Sequence, residues 1–164
     1  MEKLYLENSR KVIQNKRLIE NALKVKLEIK AGVVTIEGAP EKELIALNVM
    51  EAINLGFTVP LALELRLEDF AFEKMPIKNI ISRKRDLSQV RARIIGTKRR
   101  ALDQLEYLTG CDVVLHDNVA GIIGRTEDVK KAAYALRKLI AGSKHSNVYA
   151  YLEEENAKEK AGFF

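Results

Sequence analysis

A single cysteine, Cys111, excludes an internal disulfide. Its place at the head of an alternating apolar run makes it a small buried side chain in a reducing compartment. Histidine is almost as scarce: His116 has no second histidine or cysteine at metal spacing, only Asp117 beside it, so the sequence calls for no metal and no cofactor. No stretch approaches the roughly 20 apolar residues that span a bilayer. The opening Met-Glu-Lys-Leu-Tyr-Leu-Glu puts charges where a signal peptide needs an apolar core. A nucleophile elbow and a Walker loop are both missing, and the acids stand among lysines rather than paired in apolar settings. These absences point to a cytoplasmic chain that acts by binding, with no membrane partner and no catalysis.

The chain has ample material for a core. Its 164 residues are 47% hydrophobic and 31% charged, enough for one ordinary domain or two small ones. Charge is unevenly spread. From Arg83 to Arg100 the eight cations Arg83, Lys84, Arg85, Arg91, Arg93, Lys98, Arg99 and Arg100 face one acid, Asp86, a net +7 in a chain whose total is +5. The remainder is therefore slightly acidic. A basic run is either a solvated face or a surface for a phosphate backbone. The order around this one favours the second: an apolar pair, Ile94-Ile95, feeds Gly96, a basic loop follows, and a helical pattern continues from it.

The sequence also repeats itself at an offset of 86 residues without a gap. Leu27 falls on Val113, Ile36 on Ile122, Ala46 on Ala132, and the glycines Gly38 and Gly56 fall on Gly124 and Gly142. Two copies at this period indicate duplication of one small domain rather than a solenoid. Each copy changes period in the same order. Residues 9 to 23 place Val12, Ile13, Leu18, Ile19, Ala22 and Leu23 on one side of a helix, matched by Leu102, Leu105 and Leu108. Val25, Leu27 and Ile29 then alternate with charges, Ala31-Gly32 turns, and Val33 to Glu37 returns as a second strand. In the second copy Cys111, Val113 and Leu115 alternate, Asp117-Asn118 turns, and Val119 to Ile123 returns. A helix follows each hairpin, from near Pro40 and from about Thr126. Ahead of the second copy, residues 70 to 81 read as extended, with Pro76 confining that strand to an edge or breaking it. Leu87 to Ile95 reads as a short helix. Val59 to Leu67 reads as an apolar helix opened by Pro60.

Ile94-Ile95-Gly96, the basic loop and the helix after it resemble the type I KH domain, in which a G-x-x-G loop brings backbone close to the sugar-phosphate of about four nucleotides. Gly142-Ser143-Lys144-His145-Ser146-Asn147-Val148-Tyr149-Ala150-Tyr151-Leu152-Glu153 is similar to the closing signature of the partner-of-NOB family, the archaeal and eukaryotic KH-domain factors of small ribosomal subunit assembly. Asn54-Leu55-Gly56-Phe57 and Ala62-Leu63 resemble that family's mid-chain element. The likeness runs over nearly the whole chain, weakest in residues 1 to 23. It implies an α+β fold of two tandem type I KH-like domains, each a three-stranded antiparallel sheet packed on helices, the first degenerate. The expected division is a degenerate domain over 1–58, a helical linker over 59–69, a KH domain over 70–155, and a charged, fraying tail over 156–164. The implied function is binding of single-stranded rRNA at the 3' end of the small-subunit rRNA. The implied partners are the NOB endonuclease and the alpha subunit of initiation factor two.

Carried onto these residues, the resemblance nominates Arg91, Arg93, Ile94, Ile95, Gly96, Thr97, Lys98, Arg99, Arg100, Val113, Leu115, Lys144 and His145 as RNA contacts, with Arg83, Lys84 and Arg85 as accessory phosphate contacts or a merely soluble loop. Ile94, Ile95, Val113 and Leu115 are either the apolar floor of a base groove or plain core. Lys98, Arg99 and Arg100 carry more weight, because cations at a helix start are electrostatically misplaced unless an anion is bound. Tyr149 either stacks on a base or anchors the last helix. Three departures stand out. Arg99 replaces the second glycine, so its side chain either blocks the backbone approach or substitutes a guanidinium contact. Lys144 stands where the family has proline. In the first copy the loop positions read Arg10-Lys11-Val12-Ile13, without glycine, and the chain starts too late for a full leading strand and helix. The first domain is thus expected to pack or to bind protein. The rival reading makes the whole chain a protein-interaction scaffold that has lost RNA.

Overall fold

The computed structural model describes residues 1–81 and 86–162. It resolves into two compact units, Met1–Phe72 and Glu73–Phe164. The first contains strand β1 (Glu2–Tyr5), helices α1 (Arg10–Gln14) and α2 (Lys16–Leu23), strands β2 (Lys26–Lys30) and β3 (Val33–Glu37), and helices α3 (Pro40–Leu55) and α4 (Val59–Leu63). β3 lies centrally between β1 and β2, and both pairings are antiparallel, with Glu2 and Leu27 each opposite Ile36. The inward residues Leu27, Val34 and Ile36 meet Ile19, Val49 and Met50 in a core that is fully closed to solvent or nearly so. Glu43 is buried but satisfied. One carboxylate oxygen accepts from the Met1 ammonium at 2.8 Å and the other from the Gly38 N–H at 3.0 Å, so β1 is fastened to α3. Those two hydrogen bonds, the Met1 ammonium first, hold the Glu43 carboxyl below its usual range.

The second unit takes up strand β4 (Phe70–Pro76) and continues with α5 (Leu87–Ile95), α6 (Arg100–Thr109), β5 (Asp112–His116), β6 (Val119–Arg125), α7 (Thr126–Ala141) and α8 (His145–Lys160). β6 is central between β4 and β5. Val113 opposes Ile122, and Leu115 opposes Ala120. Pro76 ends β4, an edge strand where the missing N–H costs no ladder bond. Both units are α+β, with the three-stranded antiparallel sheets and helices that the KH resemblance implies. Among the described residues no helix is long and apolar enough to cross a membrane.

The 86-residue offset is physical. α3 and α7 begin at Pro40 and Thr126 and end at Leu55 and Ala141, each closed by a glycine with positive φ, Gly56 and Gly142. Glu20 on α2 accepts from the Leu27 N–H at 2.8 Å, and Glu106 on α6 accepts from the Val113 N–H at 3.0 Å. Gly38 packs on Val25, and Gly124 on Cys111, where a Cβ would come within 2.6 Å of the sulfur. In each unit a small residue therefore lets the central strand approach the start of the edge strand.

Several expectations change. The leading strand of the first unit is present as β1, since four residues suffice to pair with β3. The single helix over 9 to 23 is broken at Asn15, whose side-chain Nδ2 donates to the Lys11 carbonyl at 2.8 Å and competes with the helical ladder. This break leaves Ile13 and Leu18 exposed, while Val12, Ile19 and Leu23 are buried. α4 and the 3₁₀ turn Glu64–Arg66 after it pack on α3 within the first unit, burying Val59, Ala62 and Leu65. They are part of that unit rather than a separate linker. The extended stretch stops at Pro76, and a 3₁₀ turn, Ile77–Asn79, follows. The tail is helical as far as Lys160. Asn156 donates to the Leu108 carbonyl at 2.9 Å, and Glu159 pairs with Lys131, which dock α8 along its length.

Candidate nucleic-acid interface

The site is built around the junction of α5 and α6. Asp86 caps α5, its Oδ1 accepting from the Ser88 N–H at 2.9 Å and from the Ser88 hydroxyl at 2.8 Å, and these bonds hold its carboxyl below the usual range. α5 stops at Gly96, φ +75°. A Cβ there would lie 2.7 Å from the Ala101 Cβ and 2.8 Å from the Ala101 N, so only glycine lets the end of α5 abut the first turn of α6. A 3₁₀ turn, Thr97–Arg99, then reverses the chain, with Lys98 (φ 54°, ψ 32°) and Arg99 (φ 65°, ψ 15°) both left-handed. Arg99 therefore holds a left-handed backbone, the region that glycine enters most readily.

Its side chain turns away to hold that geometry. Arg99 Nη1 bonds to the Asp103 carboxylate and, at 2.8 Å, to Glu106 Oε1. The Glu106 bond is the largest cause holding the guanidinium above its ordinary value. Through its other oxygen Glu106 grips the Val113 N–H, so a single carboxylate ties the loop to strand β5. The expectation of Arg99 as a phosphate ligand meets a guanidinium already engaged by two acids. Beside this cluster, burial and then Glu106 hold the Asp112 carboxyl above its usual range.

An open groove of about 630 Å³ adjoins the loop, lined by Gly96, Thr97, Arg100, Ala101 and Gln104 on one side and by Arg93, His145 and Tyr149 on the other. Lys98 and Arg100 are exposed, and among the described residues no acid pairs with either. Among the described residues no side chain caps α6, so the positive end of this helix stands beside Lys98 and Arg100 without a capping acceptor. That combination suits a phosphate.

Arg93 does a different job. Its two terminal nitrogens donate to the Leu139 and Ser143 carbonyls, capping the end of α7 with a cation. The Arg93 carbonyl in turn accepts from His145 Nε2 at 2.9 Å, and the Tyr149 hydroxyl donates to the Ala101 carbonyl at 3.3 Å. Arg93 and His145 line the groove but are held by the turn into α8, and Tyr149 anchors that helix. Ile94 and Val113, 0% and 1% exposed, are core and not groove floor. Ile95 and Leu115 are half-buried. Arg91 is half-buried, its Nε enclosed without a hydrogen-bond partner among the described residues. Thr97 and Lys144 are exposed. Arg83, Lys84 and Arg85 lie outside the described residues. The sequence missed Gln104, although it stands one helical turn after Arg100, the spacing that would have found it. In the first unit the corresponding corner is helical, turned at Asn15, and presents no loop.

Residues 71–157 match the family described as eukaryotic type KH-domain (KH-domain type I). The chain is 34% identical over 155 residues to a KH domain-containing protein of Methanocaldococcus jannaschii, covering 91% of this chain and 68% of that one. It is 31% identical over 140 residues to RNA-binding protein PNO1 of Oryzias latipes, covering 80% of this chain and 58% of the fish protein, so it spans well under two thirds of that relative. Among solved structures it resembles the a/eIF2alpha-aDim2p-rRNA complex from Pyrococcus horikoshii, with TM-score 0.85 and 30% identity over 96% of this chain and 94% of that one.

Proposed function

Because the chain belongs to the PNO1-type family of KH-domain ribosome-assembly factors, we propose that it binds single-stranded rRNA at the 3' end of the small-subunit RNA through its second unit. RNA binding in ribosome biogenesis is the family's role; the particular strand and the residues that grip it are our assignment. The observation that carries it is the loop at Gly96–Arg99. Its backbone turns through two left-handed residues, Lys98 and Arg99, while Lys98 and Arg100 have no acidic partner among the described residues at the start of α6. A phosphate held there places the following bases along the groove toward Gln104 and Tyr149. We assign no reaction to the chain; cleavage of the rRNA falls to a separate nuclease, the NOB endonuclease, in the cytoplasm.

The first unit supports a second role. It has no phosphate loop, and at the positions equivalent to Arg99 and Gln104 it exposes Ile13 and Leu18, 55% and 53% accessible. Apolar side chains in place of a cation and an amide suit protein contact, and we assign to this unit the alpha subunit of initiation factor two, the partner named in the Pyrococcus complex. The RNA assignment is tested by fluorescence anisotropy with a strand copying the rRNA 3' end, a scrambled strand, and the Lys98→Ala/Arg100→Ala variant. Preference for the authentic strand, weakened about tenfold or more in the variant, supports it. Equal affinity for both strands, or none, returns the chain to the scaffold reading.

A further inference from the structure

Helix α8 has a second side. Its residues His145 and Tyr149 face the groove, while Asn147, Val148 and Tyr151 project from the opposite part of its circumference, as 3.6 residues per turn requires. There they close a pocket of about 220 Å³ against α7, completed by Tyr134, Lys138 and Ser143. The rings of Tyr134 and Tyr151 lie 4.8 Å apart, tilted by 44°, and Lys138 Nζ sits 5.4 Å from the Tyr134 ring centre. Tyr134 is 44% exposed, so the pair is not core packing. Charge there is also unspent: Lys131 and Arg137 on α7 are in ion pairs, whereas Lys138 has no acid partner among the described residues, and neither has the exposed Lys144. The turn into α8 joins the two: His145 lines the groove, Ser143 lines the pocket, exposed Lys144 stands between them in the chain, and Arg93 bonds to the Ser143 carbonyl.

From this arrangement we infer that the α7–α8 pocket is a second nucleotide subsite, taking one unstacked base of the same RNA strand after it leaves the groove and crosses Lys144. The Tyr134 face supplies the stacking surface, the Asn147 amide reads a base edge, and Lys138 and Lys144 neutralise the adjoining phosphates. The volume suits one planar base and falls below the range of larger ligands. This subsite rests on the groove reading, because its occupant is the continuation of the strand held there.

The test compares a strand of about four nucleotides, the length a KH loop clamps, with strands of about eight nucleotides extended at either end. Both are titrated by anisotropy against the full chain, Tyr134→Ala, Lys138→Ala/Asn147→Ala, and the loop variant Lys98→Ala/Arg100→Ala. One of the extended strands binds the wild type about tenfold more tightly than the short one, the order of a single base–aromatic stack. The pocket variants erase that gain and leave the short-strand affinity unchanged, while the loop variant weakens both. Pocket variants that bind the extended strand as the wild type does overturn the subsite, and so does an equal loss for both lengths. Loss at Tyr134 with no effect at Lys98 and Arg100 removes the groove, and with it the proposal that one strand runs from groove to pocket. No binding of any strand removes both.

Discussion

Replacing Arg99 by glycine and, separately, by alanine isolates the backbone conformation on which the loop depends. Both variants lose the bonds to Asp103 and Glu106, so that cost cancels in the comparison. What remains is the left-handed backbone at φ 65°. Alanine there carries a penalty of about 1–2 kcal/mol, whereas glycine carries only its extra chain entropy, about 0.5–1 kcal/mol. Arg99→Gly is therefore more stable than Arg99→Ala by about 1 kcal/mol, with the left-handed backbone setting the sign. For a unit of this size the difference corresponds to about 4–8 °C in Tm, readable by calorimetry or by far-ultraviolet circular dichroism. An alanine variant as stable as the glycine variant would mean that residue 99 is not left-handed in solution, and the inferred loop geometry would fall with it. In RNA titrations Arg99→Ala also costs less than Lys98→Ala or Arg100→Ala, since the guanidinium is already engaged.

The remaining predictions concern the two copies and the buried thiol. Glu106→Ala leaves the Val113 N–H unpaired and releases Arg99, costing about 1–3 kcal/mol; Glu20→Ala leaves the Leu27 N–H unpaired and costs its own unit a similar amount, and denaturation monitored in each unit separately by hydrogen exchange should show the loss confined to the unit carrying the change. Burial first, then the Asp128 charge, pushes the Cys111 thiol up to about 12. Alkylation at mild alkaline pH is therefore slow in the folded chain and rapid once urea unfolds it; labelling of the native protein at the rate of the unfolded one would refute the packing of Cys111 beneath Gly124. The same shift fixes a sign. An unfolded thiol ionises near about 8.5 while the folded one keeps its proton, so stability contributed by this group is present below that pH and declines as pH rises from there toward about 12.

The hairpins, the helices after them and the loop glycine were legible because their causes are local. Leu27 and Ile29 alternate with charges, and Gly56 and Gly142 end helices in positive φ, all within a few residues of chain. The break at Asn15 was not legible, because Ile13 and Leu18 continue a helical apolar pattern that the fold then leaves exposed. At the site, Gly96 ends α5, and Lys98 and Arg100 lie exposed on either side of Arg99. Arg93 and His145 looked like the same kind of cation and polar ring, yet Arg93 bonds carbonyls 46 and 50 residues away and accepts from His145 across 52. No spacing rule reaches that far.

By itself the sequence determined the duplication, the α+β order of each copy and the one window where cations gather, since period, turn chemistry and charge are properties of neighbouring residues. Only the tertiary structure decided which of those cations are free. Arg99 is consumed by Asp103 and Glu106, Arg93 by the end of α7, and Lys98 and Arg100 by nothing among the described residues. A side chain's role follows from the partners that folding brings within hydrogen-bond reach, and those partners come from helices and strands distant in the chain.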